Sequence, residues 1–452
     1  MKPVGRPQPR GSDPRATVLA SRMSPAQCVA IALCCAIQLI DGYDTIAVTF
    51  AMPGIGSDWA IGKSMLGALF STGIIGMAGG CIVLGPLADS LGRRPMAIAS
   101  LALMTASMTL SALAPNFTLL MVCRLSTGAG IGALISVAYP LSFEYSSLRA
   151  RPITLALMVI CFPLGGAIGG YIASDLIATL GWRAAFLPGI VFPAVVILLC
   201  LKWLPEPLGL LIERPRTSSL DRVNKYLAAV GQPPVDRLPP PDRPGQTSVR
   251  RVLGKEFRRT TFYLSAIYCL YALSAYFLLA WLPQMVTDMG FTPAVAATVS
   301  VAASAGGALG ASVTGLAIRR WGVLPVMTTL LLGMGAAIAL ISKAPADIVL
   351  LRILGAAAGV FVFGPIVGIN LLIAEEYPVE VRATGTGFIL GLSRWAAALG
   401  PLVGGIMIAS SLGAVGSCAL MGLVACLSAG LLVFYGVRHR HAQPDVARVE
   451  AA

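Results

Sequence analysis

The sequence has 452 residues, of which 56% are apolar and only 12% are charged, with a formal net charge of +13. A soluble globular domain of ordinary composition carries about 25% charged residues. This composition therefore excludes an ordinary soluble domain and indicates a membrane protein with several spans.

Apolar windows of about 20 residues recur along the whole chain, and each is long enough to cross a hydrocarbon core about 30 Å thick as a helix. Strands of a membrane β-barrel would instead alternate polar and apolar residues in segments of about ten. We therefore predict an all-α membrane protein with twelve transmembrane helices. In chain order the predicted spans are residues 27–51, 63–87, 96–114, 117–143, 152–177, 184–204, 260–284, 294–317, 324–343, 347–374, 383–408 and 411–437.

The basic residues are distributed unevenly between the two sides of this span map. Of the 33 Lys and Arg residues, 27 fall on one side, while Lys63, Arg183 and Lys343 fall on the other. The positive-inside rule then places both termini and the long central loop in the cytoplasm of a multi-pass inner-membrane protein. The excess charge faces the anionic lipid leaflet, which argues against a nucleic-acid partner.

The span map divides the chain into five parts. We predict a cytoplasmic arm (1–26), a six-helix bundle (27–204), a cytoplasmic loop (205–259), a second six-helix bundle (260–437) and a cytoplasmic tail (438–452). The loop is rich in Pro, Arg and Ser, with one short surface helix expected near Leu220 to Val230.

The cysteine and histidine pattern bears on metal and enzyme chemistry. Ten cysteines lie in or at the ends of the spans without a C-x-x-C pair, and both histidines lie in the tail. This pattern argues against zinc sites and disulfide frameworks. We expect no metal, no cofactor and no enzymatic activity.

The two bundles resemble each other in sequence. "GPLADSLGRRPM" (85–96) aligns with "GLAIRRWGVLPVM" (315–327), which pairs Gly92 with Gly322. Further matches, in the same order, begin at Arg124 and Arg352, at Glu144 and Glu376, and at Gly165 and Gly400. A parallel duplication of six spans, with substrate held between the halves near mid-membrane, is a transporter architecture.

These motifs resemble a known family. The twelve spans, "GPLADSLGRRP" after the second span and "RLSTGAGIG" in the fourth are similar to the major facilitator superfamily. Within it, "DGYD" (41–44), "SFEYSSLRARP" (142–152) and "SRWAAALGP" (393–401) resemble the aromatic acid:proton symporters, which import benzoate-type acids. The resemblance implies two pseudo-symmetric six-helix bundles and import of a hydroxybenzoate or benzoate by alternating access, with the proton as the coupling ion. We expect a monomer in the bilayer.

An exporter of drugs, or a carrier of another organic anion such as a muconate-like diacid, is the main alternative. Drug antiporters of the superfamily carry Gly-Pro-x-x-Gly-Gly in the fifth span, whereas this span reads "CFPLGGAIGG" and a similar "GPLVGG" lies in the eleventh, which favours import. A membrane sensor or embedded enzyme fits poorly, because no span contains a histidine. Relatives often have an acid where this chain has Arg319, so the gate of the second half is expected to differ.

Asp41 and Asp44 lie inside the apolar first span. An aspartate at mid-membrane costs roughly 2.5 to 3.5 kcal/mol on insertion scales, and such residues usually serve transport. Three residues apart on a helix, the two lie about 60° from one another, so they are expected to titrate as a coupled pair. Burial and mutual repulsion both favour proton uptake, which predicts proton coupling. The alternative is that either aspartate pairs with an arginine to hold helices together.

Arg124 and Arg394 are fixed cations in spans four and eleven. A guanidinium fork binds a carboxylate through two parallel hydrogen bonds. We expect Arg394 to hold the carboxylate of the substrate, with Trp395 helping to place the ring. Arg124 is expected to partner the aspartates or the substrate. Structural ion pairing is the competing explanation for both arginines.

Three further residues are candidates for substrate contact. Tyr268 and Tyr271 share a face of the seventh span and offer rings and hydroxyl groups, although aromatic residues near span ends also serve as interface anchors. Asn370 in the tenth span is a candidate polar contact or an interhelical hydrogen-bonding residue.

Charged residues beside the spans are candidates for gating. Family resemblance implies a gate at the loop between spans two and three, where an acid beside arginines gains favourable interactions in only one packing of the halves. The predicted gating residues are Asp89, Arg93 and Arg94 in that loop, Glu144 with Arg149, and Glu376 with Arg382.

Overall fold

The computed structural model describes residues 14–213, 219–239 and 249–442, in which helices are joined mainly by short loops. Twelve helices are long and apolar enough to cross a membrane, which confirms the predicted number. These spans are Pro25–Asp58, Lys63–Leu84, Arg93–Ala112, Phe117–Tyr145, Arg151–Leu180, Trp182–Trp203, Arg258–Asp288, Pro293–Trp321, Val323–Ile341, Ile348–Glu376, Thr384–Ala409 and Gly413–Val437.

The first span is longer than its apolar window. It has 34 residues, which is about 50 Å at 1.5 Å per residue, and it begins at Pro25 rather than at residue 27. A capping box defines this start, because the Ser24 N–H donates to Gln27 Oε1 (2.9 Å) and the Gln27 N–H donates to Ser24 Oγ (3.3 Å). The helix therefore extends beyond the apolar window at both ends, because the helical hydrogen bonds continue through the flanking residues.

The packing of the spans repeats with a shift of six. In the first half (spans 1–6), span 1 packs on 5, span 2 on 4, and span 3 on 4 and 6. In the second half (spans 7–12), span 7 packs on 11, span 8 on 10, and span 9 on 10 and 12. Gly92 and Gly322, aligned in sequence, precede spans 3 and 9 with φ of 111° and 84°, a conformation that favours glycine. The protein therefore consists of two pseudo-symmetric six-helix bundles.

The halves meet through spans 2 and 11 and through spans 5 and 8. Odd-numbered spans begin on the side where the first span starts, which we call the termini side, and even-numbered spans begin on the opposite, Lys63 side. Among the described residues, side-chain hydrogen bonds join the halves at two places. Lys63 Nζ donates to Asp288 Oδ2 (2.5 Å), and Ser71 Oγ donates to the Ala398 carbonyl (2.6 Å). The first bond lies at the Lys63 side, and the second lies two turns further along span 2.

The buried apolar residues form two clusters with different extents. One cluster joins the halves, with Phe50, Leu69 and Phe186 from the first half and Phe277 and Trp281 from the second. The other lies at the termini side of the first half, and its members all come from residues 18 to 230. The core is thus continuous between the halves toward the Lys63 side and separate toward the termini side.

The described parts of the central loop contain three short helices. Leu208–Glu213 and Ser219–Ala229 lie against the first half, whereas Val249–Val252 packs on span 11 of the second half. The helix expected near Leu220 to Val230 is confirmed by Ser219–Ala229. Its Val223, Tyr226 and Leu227 are buried in the termini-side cluster.

Candidate functional site

The two aspartates of the first span are both buried but have different surroundings. Asp41 is 2% exposed, and its carboxylate accepts hydrogen bonds from Gln38 Nε2 (3.1 Å) and Thr45 Oγ1 (3.4 Å). Asp44 is fully buried, and neither of its carboxylate oxygens has a hydrogen-bond partner among the described residues. An ionised carboxylate in this second setting is costly.

The residues between the aspartates fix the first span against its neighbours. A Cβ at Gly42 would collide with the carbonyl of Phe162, so glycine permits spans 1 and 5 to touch at this level. The Tyr43 hydroxyl donates to the carbonyl of Ala185. The "DGYD" motif therefore combines two acids with the small residue and the anchor that set the rotation of their helix.

Asp44 faces Arg124 inside the first half. Arg124 is 2% exposed, its Nη2 donates to the main-chain oxygen of Asp44 (3.1 Å), and the two side chains interact electrostatically. Gly189 closes the site, since a Cβ there would lie 2.6 Å from Asp44 Oδ1. The structure thus places Arg124 beside an aspartate, the first of the two roles predicted for it.

Arg394 of span 11 lies opposite Asp41 of span 1. Its Nη1 donates to the Tyr276 hydroxyl (2.8 Å). Its charge interacts with Asp41, Tyr268 and Cys81, so the guanidinium of one half and the carboxylate of the other interact electrostatically across the junction. Each aspartate therefore has its own arginine, Asp44 within its half and Asp41 across the junction.

The predicted tyrosines of span 7 have different environments. Tyr268 and Tyr271 are buried, with ring centroids 5.8 Å apart. Both tyrosines interact electrostatically with Arg394, and the Tyr271 hydroxyl also donates to the Val362 carbonyl in span 10 (2.5 Å). Tyr268 joins the Arg394 cluster directly, and Tyr271 supports it with its hydroxyl already engaged.

Two predicted substrate residues lie apart from this cluster. Trp395 is 50% exposed and Asn370 is also exposed. Within the described residues, no hydrogen bond or ring contact links either of them to Arg394. A one-residue step turns a helix by about 100°, which separates Trp395 from the direction of Arg394. Their roles stay predictions.

Sequence reasoning missed several members of the cluster. The predicted residues do not include Tyr276, Tyr139, Gln38 or Thr45. Tyr139 in span 4 interacts electrostatically with Asp41, Arg394 and Tyr268. Thr45 lies one turn after Asp41, and this spacing brings helical side chains together, so the sequence contained a signal for it. Tyr139 lies in a span distant in sequence, and no local pattern indicated its contact with the cluster.

The gating residues of the first half form contacts within that half. Arg93 pairs with Glu144, so the predicted pairing of Glu144 with Arg149 is wrong. The reason is that the start of span 3 packs beside the end of span 4, whereas Arg149 is exposed on the following turn. Arg94 Nη2 donates to the Leu201 carbonyl at the end of span 6 (2.7 Å). The side chain of Asp89 lies outside the described residues.

The corresponding residues of the second half lie near Tyr377. Arg382 Nε donates to the Tyr377 carbonyl (3.2 Å), and Glu376 interacts with Tyr435. The gating role of both residues stays a prediction.

A buried aspartate and a half-buried arginine at the junction of two six-helix bundles, in a chain with twelve spans, define a solute transporter of the membrane. Comparison with known proteins agrees. The sequence pattern of the Major Facilitator Superfamily matches residues 34–292 and 264–451, and the chain belongs to that superfamily. It is therefore a multi-pass transporter, not an enzyme.

Individual relatives share most of the chain. A 4-hydroxybenzoate transporter, PcaK, from Pseudomonas aeruginosa is 32% identical over 402 residues, covering 88% of this chain and 89% of that protein. A gallate transporter from Pseudomonas putida is 29% identical over 93% of this chain and 94% of that protein. The solved structure of the xylose transporter XylE from E. coli, in a partially occluded inward open conformation, shares the fold with a TM-score of 0.71 at 15% identity, covering 91% and 98% of the two chains.

Proposed function

We propose that this protein imports an aromatic carboxylic acid of the hydroxybenzoate or benzoate type together with a proton, by alternating access across the cytoplasmic membrane. The observation that carries the proposal is the position of Arg394, which faces Asp41 across the junction and holds the Tyr276 hydroxyl. A guanidinium supplies the fork for a carboxylate. The neighbouring tyrosines supply ring surfaces and hydroxyl groups for a substituted ring.

The names of the relatives support the same class of substrate. The 4-hydroxybenzoate and gallate transporters both carry, by name, an aromatic acid with a ring hydroxyl, and they align over most of this chain. Arg394 together with Tyr268 and Tyr276 offers complementary groups to both ends of such a molecule. We expect the carboxylate at Arg394 and the ring beside the tyrosines.

Charge balance at the junction explains how a proton would be coupled to this substrate. In the empty carrier Asp41 is the counter-ion of Arg394. When a substrate carboxylate takes that position, Asp41 loses its partner, and uptake of one proton keeps the buried site neutral. Empty and loaded carriers then both reorient without net charge at Arg394 and Asp41, which avoids the cost of moving an unpaired charge.

The arrangement of the halves supports alternating access. The two halves are joined by hydrogen bonds and by a continuous core toward the Lys63 side. With the termini in the cytoplasm, as the distribution of Lys and Arg indicates, this conformation is closed to the outside. Import then requires the contacts at the Lys63 side to open.

Uptake of radiolabelled 4-hydroxybenzoate tests the proposal. Proteoliposomes with an acidic exterior should accumulate the label above its external concentration. A protonophore should abolish accumulation, because the proton gradient drives it. Accumulation that is indifferent to the protonophore would remove the proton coupling, and a lack of uptake for 4-hydroxybenzoate, benzoate and gallate alike would remove the substrate class.

The Lys63–Asp288 ion pair joins the halves on the outer side, and Lys63→Gln should loosen that closure. Both side chains are about one-third exposed (35% and 34%), so the pair is worth at most about 1 kcal/mol. A loss of that size shifts the ratio of the two conformations by up to about fivefold. The measurement is the distance between spin labels at Ser57 and Met289 in a cysteine-free background. Long label-to-label distances should be more populated in Lys63→Gln than in the wild type.

The control for this experiment breaks an ion pair on the same side that lies within one half. Arg183 Nη1 lies 3.3 Å from Asp58 Oδ2, and both residues belong to the first half. Arg183→Gln should therefore leave the distance distribution close to that of the wild type. Equal shifts in both variants would show that Lys63 has no specific role in closure.

A further inference from the structure

A basic cleft lies at the termini side, away from the transport site. It has a volume of about 440 Å³ and lies between the ends of spans 1, 4 and 6 and the loop helix Ser219–Ala229. Its walls include Tyr145, Trp203 and Tyr226. Because all these span ends reach the same side, the cleft lies at the level where lipid headgroups meet the protein.

The loop helix is held firmly enough to form a wall of this cleft. Val223 is fully buried, and Tyr226 and Leu227 are buried beside it. The Asn224 side chain both donates to the Val235 carbonyl (3.1 Å) and accepts from the Val235 N–H (2.8 Å), which ties the following segment back onto the helix. The position of the polar residues on this helix relative to the spans is therefore defined.

Four cations converge on the cleft from both of its walls. Arg94 and Lys202 come from the spans, and Arg222 and Lys225 come from the loop helix. Lys202, Arg222 and Lys225 are exposed. Arg94 already donates to the Leu201 carbonyl, but its buried Nε has no partner among the described residues.

Among the described residues that line the cleft, the one acid is Glu206, which is already engaged. Its Oε1 accepts the Arg93 N–H (3.0 Å) at the start of span 3. Burial raises the pKa of Glu206, while hydrogen bonds from the Arg94 and Arg93 main chain and the charge of Arg222 lower it. The cations outnumber this acid, so the cleft presents a net positive charge to an incoming group.

The outer edge of the cleft opens toward the bilayer. Trp203 is 49% exposed, and Lys202 Nζ lies 4.7 Å from the centre of its ring. Leu198 and Leu201, on the preceding turns of the same span, are 66% and 52% exposed. Aromatic and basic residues above exposed leucines match the change from headgroup to acyl chain at a membrane surface.

We propose that this cleft binds the phosphodiester headgroup of an anionic phospholipid, with the acyl chains along the exposed side of span 6. The phosphate would lie between Lys202 on the span and Arg222 and Lys225 on the loop helix, and would link the central loop to the first half. A basic pocket of this kind favours an anionic over a zwitterionic headgroup. This inference is independent of the transported substrate.

Lipid binding to the purified full-length protein tests the proposal. Dihexanoylphosphatidylglycerol is titrated in detergent, and the apparent Kd is obtained from the shift of the thermal unfolding midpoint. The wild type should bind this lipid at least tenfold more tightly than dihexanoylphosphatidylcholine. The triple variant Lys202→Gln, Arg222→Gln, Lys225→Gln should lose at least tenfold in affinity for the anionic lipid.

A charge-matched control separates this cleft from general basicity. Arg251, Lys255 and Arg258 are exposed on the same side but do not line the cleft, and replacing all three by Gln should leave the affinity within twofold of the wild type. Equal losses in both triple variants, or wild-type affinity in the cleft variant, would overturn the proposal. Inorganic phosphate should protect only weakly; protection in the same concentration range as the lipid would also overturn it.

Discussion

Asp41→Asn should abolish the dependence of substrate affinity on pH and remove proton-driven accumulation. In the proposed cycle Asp41 and the substrate carboxylate alternate as the partner of Arg394, so substrate binding takes up a proton. Binding then weakens as pH rises, by up to about tenfold per pH unit where Asp41 loses its proton. Asparagine cannot ionise, so the variant should bind with one high affinity at all pH values, measured as Kd for 4-hydroxybenzoate between pH 5.5 and 8.5.

The matched control is Asp44→Asn, which removes the neighbouring carboxylate. Asp44 lies beside Arg124 within the first half and is not a partner of Arg394. Its variant should retain a pH-dependent Kd. Counterflow exchange of labelled for unlabelled substrate should persist in Asp41→Asn, because it requires no net proton movement. A pH-dependent Kd in Asp41→Asn, equal to that of the wild type, would refute the exchange of partners at Arg394.

The topology was predictable because the bilayer imposes a length on every span. Twelve apolar windows became twelve helices, and the aligned Gly92 and Gly322 both have a positive φ, as a repeated backbone geometry predicts. The lengths of the spans were not predictable from hydropathy. Hydrogen bonds continue past the apolar window, as at the end of the first span up to Asp58, and a cap sets where the helix begins, as at Ser24.

The candidate site was predictable where a charge stands out against apolar neighbours. Asp41, Asp44, Arg124 and Arg394 were all identifiable for this reason, because an ionisable residue in a span is rare and functional by default. Which arginine faces which aspartate depends on the packing of spans far apart in sequence. The internal repeat does not identify these pairs either. Arg124 corresponds to Arg352 in the repeat, but Arg352 is exposed and donates to Thr298 instead of facing an aspartate.

The polar and charged neighbours were predicted less well. Tyr139 and Tyr276 join the cluster through the way spans 4, 7 and 11 meet, which no local pattern records. Glu144 has a partner in Arg93 rather than in Arg149, because a nearby residue in sequence competes with one brought close by helix packing. Charge patterns in loops therefore define which side a segment occupies more reliably than they define its partners.

Arg394→Lys should weaken substrate binding by about tenfold to a hundredfold, or about 1.4 to 2.8 kcal/mol, while the protein still inserts. Lysine keeps the positive charge opposite Asp41, so the buried site stays balanced and expression should be close to that of the wild type. It lacks the planar fork that binds a carboxylate at two points. The measurement is the Kd of 4-hydroxybenzoate at pH 5.5, with the yield of monodisperse protein as the check on folding.

Tyr276→Phe is the companion variant, because it removes only the hydroxyl that accepts from Arg394 Nη1 (2.8 Å). A hydrogen bond to a charged group contributes about 1.5 to 3 kcal/mol. Without it the guanidinium is held less firmly in place, so it should bind the substrate less tightly. If Arg394 instead serves only to join the halves, Arg394→Lys and Tyr276→Phe should both lower the thermal unfolding midpoint without changing Kd. A changed Kd at an unchanged midpoint, in contrast, places the guanidinium in contact with the substrate carboxylate.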